Sequence, residues 1–150
     1  MSQSLSQLYA HLVFSTKDRE PCLGVEVQDR LFRYLAGALK IAESPAVKVG
    51  GYVDHVHILF RQSKNKIPSK VVGEIKAQSS KWMKEEFRGQ ESFAWQAGYG
   101  LFSVSASQVA TVSNYIENQA EHHRVMTFQE EFRKLLKRSG VEYDERYVWD

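Results

Sequence analysis

The feature that most constrains the fold is a switch of hydrophobic period, repeated in one order along a chain of 150 residues. Leu8, Ala10, Leu12 and Phe14 alternate with Tyr9, His11, Val13 and Ser15, the period-2 pattern of a largely buried strand. After a polar turn from Thr16 to Pro21, residues Val27, Leu31, Phe32, Leu35, Leu39 and Ile41 recur at near-helical spacing, and Ser44-Pro45 ends the run. Ala46 to Val49 reads as a strand, Gly50-Gly51 permits a bend or bulge, and His55 to Arg61 is a strand close behind, so the two pair like a hairpin. Pro68 suits the first turn of a second helix that turns Val71, Val72, Ile75, Trp82, Met83 and Phe87 inward and ends near Gly89. Trp95 to Val104 alternates and is rich in aromatic residues, a further strand; Ser105 or Ser107 then caps a third helix running through Glu121. Thr127 to Arg138 forms a last amphipathic helix stopped at Gly140. This split βαβ–βαβ order predicts an α+β, ferredoxin-like (RRM-like) sandwich, an antiparallel sheet with helices over one face plus C-terminal helices. No repeat, linker or composition break divides the chain, so a single domain over 1–150 is expected.

Composition excludes several classes. An apolar fraction of 43% with 25% charged residues is globular, not disordered. The one cysteine, Cys22, cannot form an internal disulfide and fits a reducing cytosol. Neither a cationic, apolar leader nor a membrane-length apolar run occurs, which predicts a soluble, cytoplasmic protein. A net charge of +2 is too small to diagnose nucleic-acid binding, so only local clusters of basic residues argue for it.

The chemistry-bearing residues are His55-Val56-His57 and, far downstream, Tyr115 and Gln119. In a strand, side chains two apart project to one side, so both imidazoles can converge on one cation. On a helix, residues four apart are stacked neighbours, which puts the Tyr115 phenol beside the Gln119 amide. Helical phase sets Val109, Val112, Ile116 and Ala120 in one apolar stripe and leaves Tyr115 and Gln119 at its rim, within reach of a groove. A core aromatic and a pair of ordinary histidines remain the bland alternatives. Histidine-triad nucleotide hydrolases need a third histidine where Leu59 stands, and two-histidine phosphoesterases need His-x-Thr/Ser pairs that this chain lacks. No nucleotide cofactor is expected.

Several separated segments together resemble the single-tyrosine HUH transposases of the smallest bacterial insertion sequences, of the insertion sequence 200-like type. They are FSTK ending at Lys17, GYVDHVHIL from Gly51, IKAQSSKW from Ile75, WQAGYG from Trp95, YIENQ from Tyr115, His122-His123, Thr127-Phe128, and DERYVW from Asp144. Val53 departs from the proline that relatives often carry before Asp-His. The resemblance implies that His55, His57 and Gln119 bind one divalent metal, Mg2+ or Mn2+, and that Tyr115 is the nucleophile. It implies a metal-dependent transposase that cleaves and rejoins single-stranded DNA with hairpin ends through a 5′-phosphotyrosine. A homodimer with joined sheets is implied as well; in several members the tyrosine helix of one subunit completes the other's site. Two histidines with an amide oxygen favour manganese on ligand grounds.

Candidate DNA contacts are Lys17 and Arg19 in the first loop, Arg61, Lys64 and Lys66 after the histidine strand, and Lys70, Lys81 and Lys84 on the second helix. Trp95 or Tyr99 is a candidate for stacking on an unpaired base, while Trp82 is read as core. His11, His122 and His123 are read as structural or DNA-contacting side chains, not as ligands. Two competing functions are a domesticated endonuclease that cuts repeat hairpins by the same chemistry, and a non-enzymatic ferredoxin-like nucleic-acid-binding protein.

Overall fold

The computed structural model describes residues 1–150 and lays four strands, β1 (Tyr9–Ser15), β2 (Ala46–Gly51), β3 (His55–Arg61) and β4 (Gly100–Val104), into one sheet in the order β2-β3-β1-β4. Every neighbouring pair is antiparallel, and β1 meets β3 in continuous register from Tyr9↔Arg61 to Ser15↔His55. Helix α1 (Val25–Ile41) links β1 to β2 and α2 (Pro68–Glu86) links β3 to β4, which is the expected α+β ferredoxin-like arrangement. No helix is long and apolar enough to cross a membrane.

Strand pleating divides β1 and β3 between two environments. Leu12, Phe14, Val56, Ile58 and Phe60 face α1 and α2 and join Leu31, Leu35, Leu39, Val71, Val72, Ile75 and Met83 in the main core. Each such side chain is wholly buried and contributes about 1.5–3 kcal/mol of transfer free energy. The opposite face carries His11, Val13, His55 and His57, and its Val13 packs on Phe128, Phe132 and Leu136. Those three belong to α5 (Phe128–Arg138), so helices lie on both faces: α1 and α2 on one, the C-terminal helices on the other. Two covered faces explain why Leu12-Val13-Phe14 and Ile58-Leu59-Phe60 are continuous apolar runs.

Helix α3 (Val109–Glu117) sits directly over β2 because Gly50 has no side chain. A Cβ there would stand 2.6 Å from the Ile116 carbonyl oxygen. The third helix does not run unbroken to Glu121. It stops at Asn118 (φ −95, ψ 25), whose side-chain amide donates to the Asn114 carbonyl at 2.9 Å, and a short α4 (Gln119–His122) follows. Ser105 and Ser107 do not cap it; their hydroxyls pair with each other at 3.2 Å. By contrast α5 carries a Thr127–Glu130 capping box at its start, and Gly140, the expected stop beyond it, has φ +66.

The fourth strand is shorter than its alternation predicts. Trp95 forms only an isolated bridge with Thr16, and the carbonyls of Gln96, Ala97 and Gly98 bind the Lys76 ammonium (2.8, 3.2 and 2.8 Å) instead of a ladder. Burial lowers the Lys76 pKa to about 8.

Candidate active site

Strand alternation turns His55 and His57 to one side of β3, and the second nitrogen of each ring is already held. The His55 Nδ1 is hydrogen-bonded to Asp54 Oδ1 at 2.7 Å, and the His57 Nδ1 to His11 Nε2 at 2.8 Å. Both rings therefore aim Nε2 into the same space, the orientation a metal-ligating imidazole needs. That space is lined by Gln119, whose Oε1 is 2.9 Å from His55 Nε2, and by Glu131.

Sequence reasoning missed Glu131, and it is the centre of the cluster. Its Oε1 lies 3.0 Å from His57 Nε2, 3.2 Å from His123 Nε2 and 3.4 Å from His55 Nε2. The other oxygen, Oε2, accepts from the Gln119 amide at 3.1 Å and from the Tyr115 hydroxyl. The ligand atoms of His55, His57 and Glu131 all lie within 4.8 Å of one another, so this buried cluster has the donor set to hold a metal ion. None of its polar atoms is unpartnered; the one buried orphan in the chain, Gln62 Oε1, lies elsewhere.

The electrostatics follow from burial competing with pairing. Burial favours the neutral acid of Glu131, but hydrogen bonds from His123, His55 and His57 outweigh it and hold the carboxylate well below its usual range. Burial likewise disfavours charge on His55, yet Asp54 and Glu131 lift its pKa to about 9. His11 and His57 are lowered, chiefly by burial, His11 to about 3. Tyr115 is raised by burial first and by the Glu131 charge second, so the phenol is firmly protonated.

Of the residues singled out in the sequence, His55, His57, Tyr115 and Gln119 come together in one chain. Gln119, however, is not at a rim: with 1% of its surface exposed it is buried, because the break at Asn118 turns α4 toward the sheet. Tyr115 is half-buried, its ring 5.7 Å from that of His57. His123 is also turned inward, its Nε2 3.1 Å from Gln119 Oε1, whereas His122 stays outside against the Tyr115 ring.

The basic residues do not form one path. Lys17 and Arg19 follow the end of β1 that carries the His55 pairing, while Arg61, Lys64 and Lys66 leave the other end of the sheet, about 20 Å away at strand rise. Lys70, Lys81 and Lys84 ride on α2, across the sheet from the histidines. Trp95 is not free to stack on a base: its indole N–H donates to Ser79 Oγ at 2.9 Å and its ring is wedged against Phe14 and Phe93. Tyr99 remains exposed.

The family model for IS200-like transposases matches residues 4–119, most of the chain and every residue of the cluster except His123 and Glu131. The chain belongs to the IS200-like transposase family. As a member of it, the chain is a DNA-processing enzyme. Its fold recurs in a candidate transposase from Deinococcus radiodurans R1, 26% identical, with a TM-score of 0.63 over 79% of this chain and 98% of that one. A REP-associated tyrosine transposase bound to a REP hairpin shares the fold at 14% identity, with a TM-score of 0.60 over 82% of this chain and 74% of the other. No curated protein sequence matches the chain.

Proposed function

We propose that this transposase cuts single-stranded DNA with Tyr115 as nucleophile beside a divalent cation on His55, His57 and Gln119, and rejoins strands from a 5′-phosphotyrosine. The observation that carries this reading is the convergence, within one chain, of the Tyr115 hydroxyl, two imidazole Nε2 atoms and the Gln119 side chain around a single buried carboxylate, with the Gln119 amide N–H on the carboxylate and its amide oxygen on His55 Nε2. When bound, Mg2+ or Mn2+ supplies a Lewis acid for the phosphate oxygens and a positive charge that favours phenolate over phenol. Tyr115 Oη forms the new bond to phosphorus and gives up its proton; the bond from phosphorus to the 3′-oxygen breaks, and that oxygen leaves to be protonated. The phosphodiester energy is kept in the tyrosine ester, so a second DNA 3′-hydroxyl can reverse the step without ATP.

Asp54 and His11 act through the ligands, fixing the rings so that Nε2 is the free donor. Lys17 and Arg19, with Arg61, Lys64, Lys66, Lys70, Lys81 and Lys84, contact the DNA backbone as separate patches, and the protein works in the cytoplasm as a homodimer. A hairpin-bearing strand is the favoured substrate, supported by the neighbour bound to a REP hairpin. The same neighbour favours a second reading, an endonuclease of repeat hairpins with identical chemistry. Incubation with labelled hairpin-bearing single strands and Mn2+ tests both. A covalent protein–DNA adduct is expected from the native chain and none from Tyr115→Phe; an adduct with the variant removes Tyr115 as nucleophile. His57→Ala is expected to stop cleavage while keeping much of the salt-sensitive binding, and cleavage by that variant removes the metal assignment.

A further inference from the structure

We infer that Glu131 joins the cation to the nucleophile, as a metal ligand through Oε1 beside His55 and His57 and as the acceptor of the Tyr115 hydroxyl through Oε2. This rests on the metal-assisted reading above and goes beyond it, since a His-His-Gln site has no role for a carboxylate on α5.

Three observations carry it. First, the two oxygens of one side chain divide between the two functions: Oε1 faces the imidazole nitrogens at 3.0–3.4 Å, and Oε2 takes the hydroxyl. Second, charge balance requires an anion. Two neutral imidazoles and an amide bring no charge of their own to a divalent cation in a site where His55, His57 and Gln119 are 0–1% exposed, and Asp54 lies behind His55, on its Nδ1. A buried carboxylate, 2% exposed, offsets half of that charge. Third, Glu131 is held in place independently of any ion. It lies in the first turn of α5, where the helix N-terminus favours a negative side chain. The neighbouring Phe128 and Phe132 are anchored against Val13.

Gln119 then acts on both sides of the carboxylate, its Oε1 toward His55 and its Nε2 donating to Glu131 Oε2. His123, 3.2 Å from Oε1, sits across from the β3 histidines as a third imidazole against the same oxygen. The hydrogen bond to Oε2 sets the direction of the Tyr115 hydroxyl and holds it toward the carboxylate that faces His55 and His57.

The experiment uses the full chain and Mn2+ as the probe, read by electron paramagnetic resonance without DNA, followed by adduct formation on a hairpin-bearing strand. Glu131→Gln is expected to weaken Mn2+ binding at least about tenfold. At saturating Mn2+ its adduct rate is expected to stay at least about a hundredfold low, because restoring the ion does not restore the hydroxyl acceptor. Glu131→Asp, which keeps the charge at shorter reach, should bind Mn2+ more tightly than Glu131→Gln; the reverse order overturns the assignment. So does Mn2+ affinity in Glu131→Gln equal to that of the native chain, or a native adduct rate at saturating Mn2+. If the native chain forms the Tyr115 adduct but binds no Mn2+, the cation reading itself fails and this inference with it; if it binds Mn2+ and Glu131→Gln binds equally, only the role of Glu131 falls.

Discussion

Glu131, the three imidazoles against it and His11 behind His57 make the residue scale the one at which pH acts. His55 gains partners on folding, so its pKa rises from its ordinary value of 6.5 to about 9, and the stability it contributes is complete below 6.5 and lost as pH climbs through 9. His11 is depressed from 6.5 to about 3, so the unfolded chain binds more protons between those values and stability falls as pH drops from 6.5. Glu131, held low, adds to the loss on the acid side. Without metal, thermal stability should therefore peak near pH 6.5 and decline in both directions, as followed by circular-dichroism melting; a plateau between 6.5 and 9 contradicts the His55 pairing. At this scale the sequence was legible in part. His55 and His57 could be read because a strand's period of two leaves one geometric outcome. Glu131 was hidden among 18 acidic residues, yet it had a signal. It falls on the stripe defined by Phe128, Phe132 and Leu136, where an unpaired acid has no place.

Among the elements, α3 decides where the nucleophile stands, and its seat is Gly50. Replacing Gly50 with alanine drives a methyl group against the Ile116 backbone, and overpacking of this kind costs about 1–3 kcal/mol. Gly50→Ala should lower the melting temperature and slow adduct formation together, since the helix can relieve the clash only by carrying Tyr115 away from Glu131. Gly73→Ala on α2 provides the contrast: nothing lies within 4 Å of its added Cβ, and a helix gains about 0.5–1 kcal/mol from the exchange. An unchanged adduct rate in Gly50→Ala would disconnect the α3 seat from catalysis. Periodicity, with Ser44-Pro45 after α1, Pro68 opening α2 and Gly140 after α5, made these helices readable, because local chemistry settles them. The break at Asn118 was not readable: the stripe of Val109, Val112, Ile116 and Ala120 continues through it, and only a side-chain hydrogen bond to Asn114 interrupts the helix. The same kind of override shortened β4, where Lys76 takes the carbonyls that alternation had reserved for a strand.

For the whole molecule, the α+β order of elements was legible because period changes are global and redundant, whereas the covering of both sheet faces emerged only with the packing of α5 on Val13. That packing closes the site inside one chain. The resemblance left open whether the tyrosine helix serves its own subunit or a partner's; within this chain Tyr115 meets Glu131 and the ring of His57. Mixing Tyr115→Phe with His57→Ala should therefore yield no adduct above that of either alone; complementation in the mixture would mean that the helix exchanges between chains.

The position of β3 and β1 in the interior of the sheet, flanked by β2 and β4, has a consequence for how such an enzyme can vary. A strand clamped along both margins behaves as the middle plank of a floor. The outer planks can be lengthened, bulged as β2 is between Ala46 and Lys48, or laid against another floor, while the spacing of the imidazoles is fixed by the planks on either side. Descendants of such a chain are thus free to change their partners and their substrates at the margins without rebuilding the chemistry at the centre.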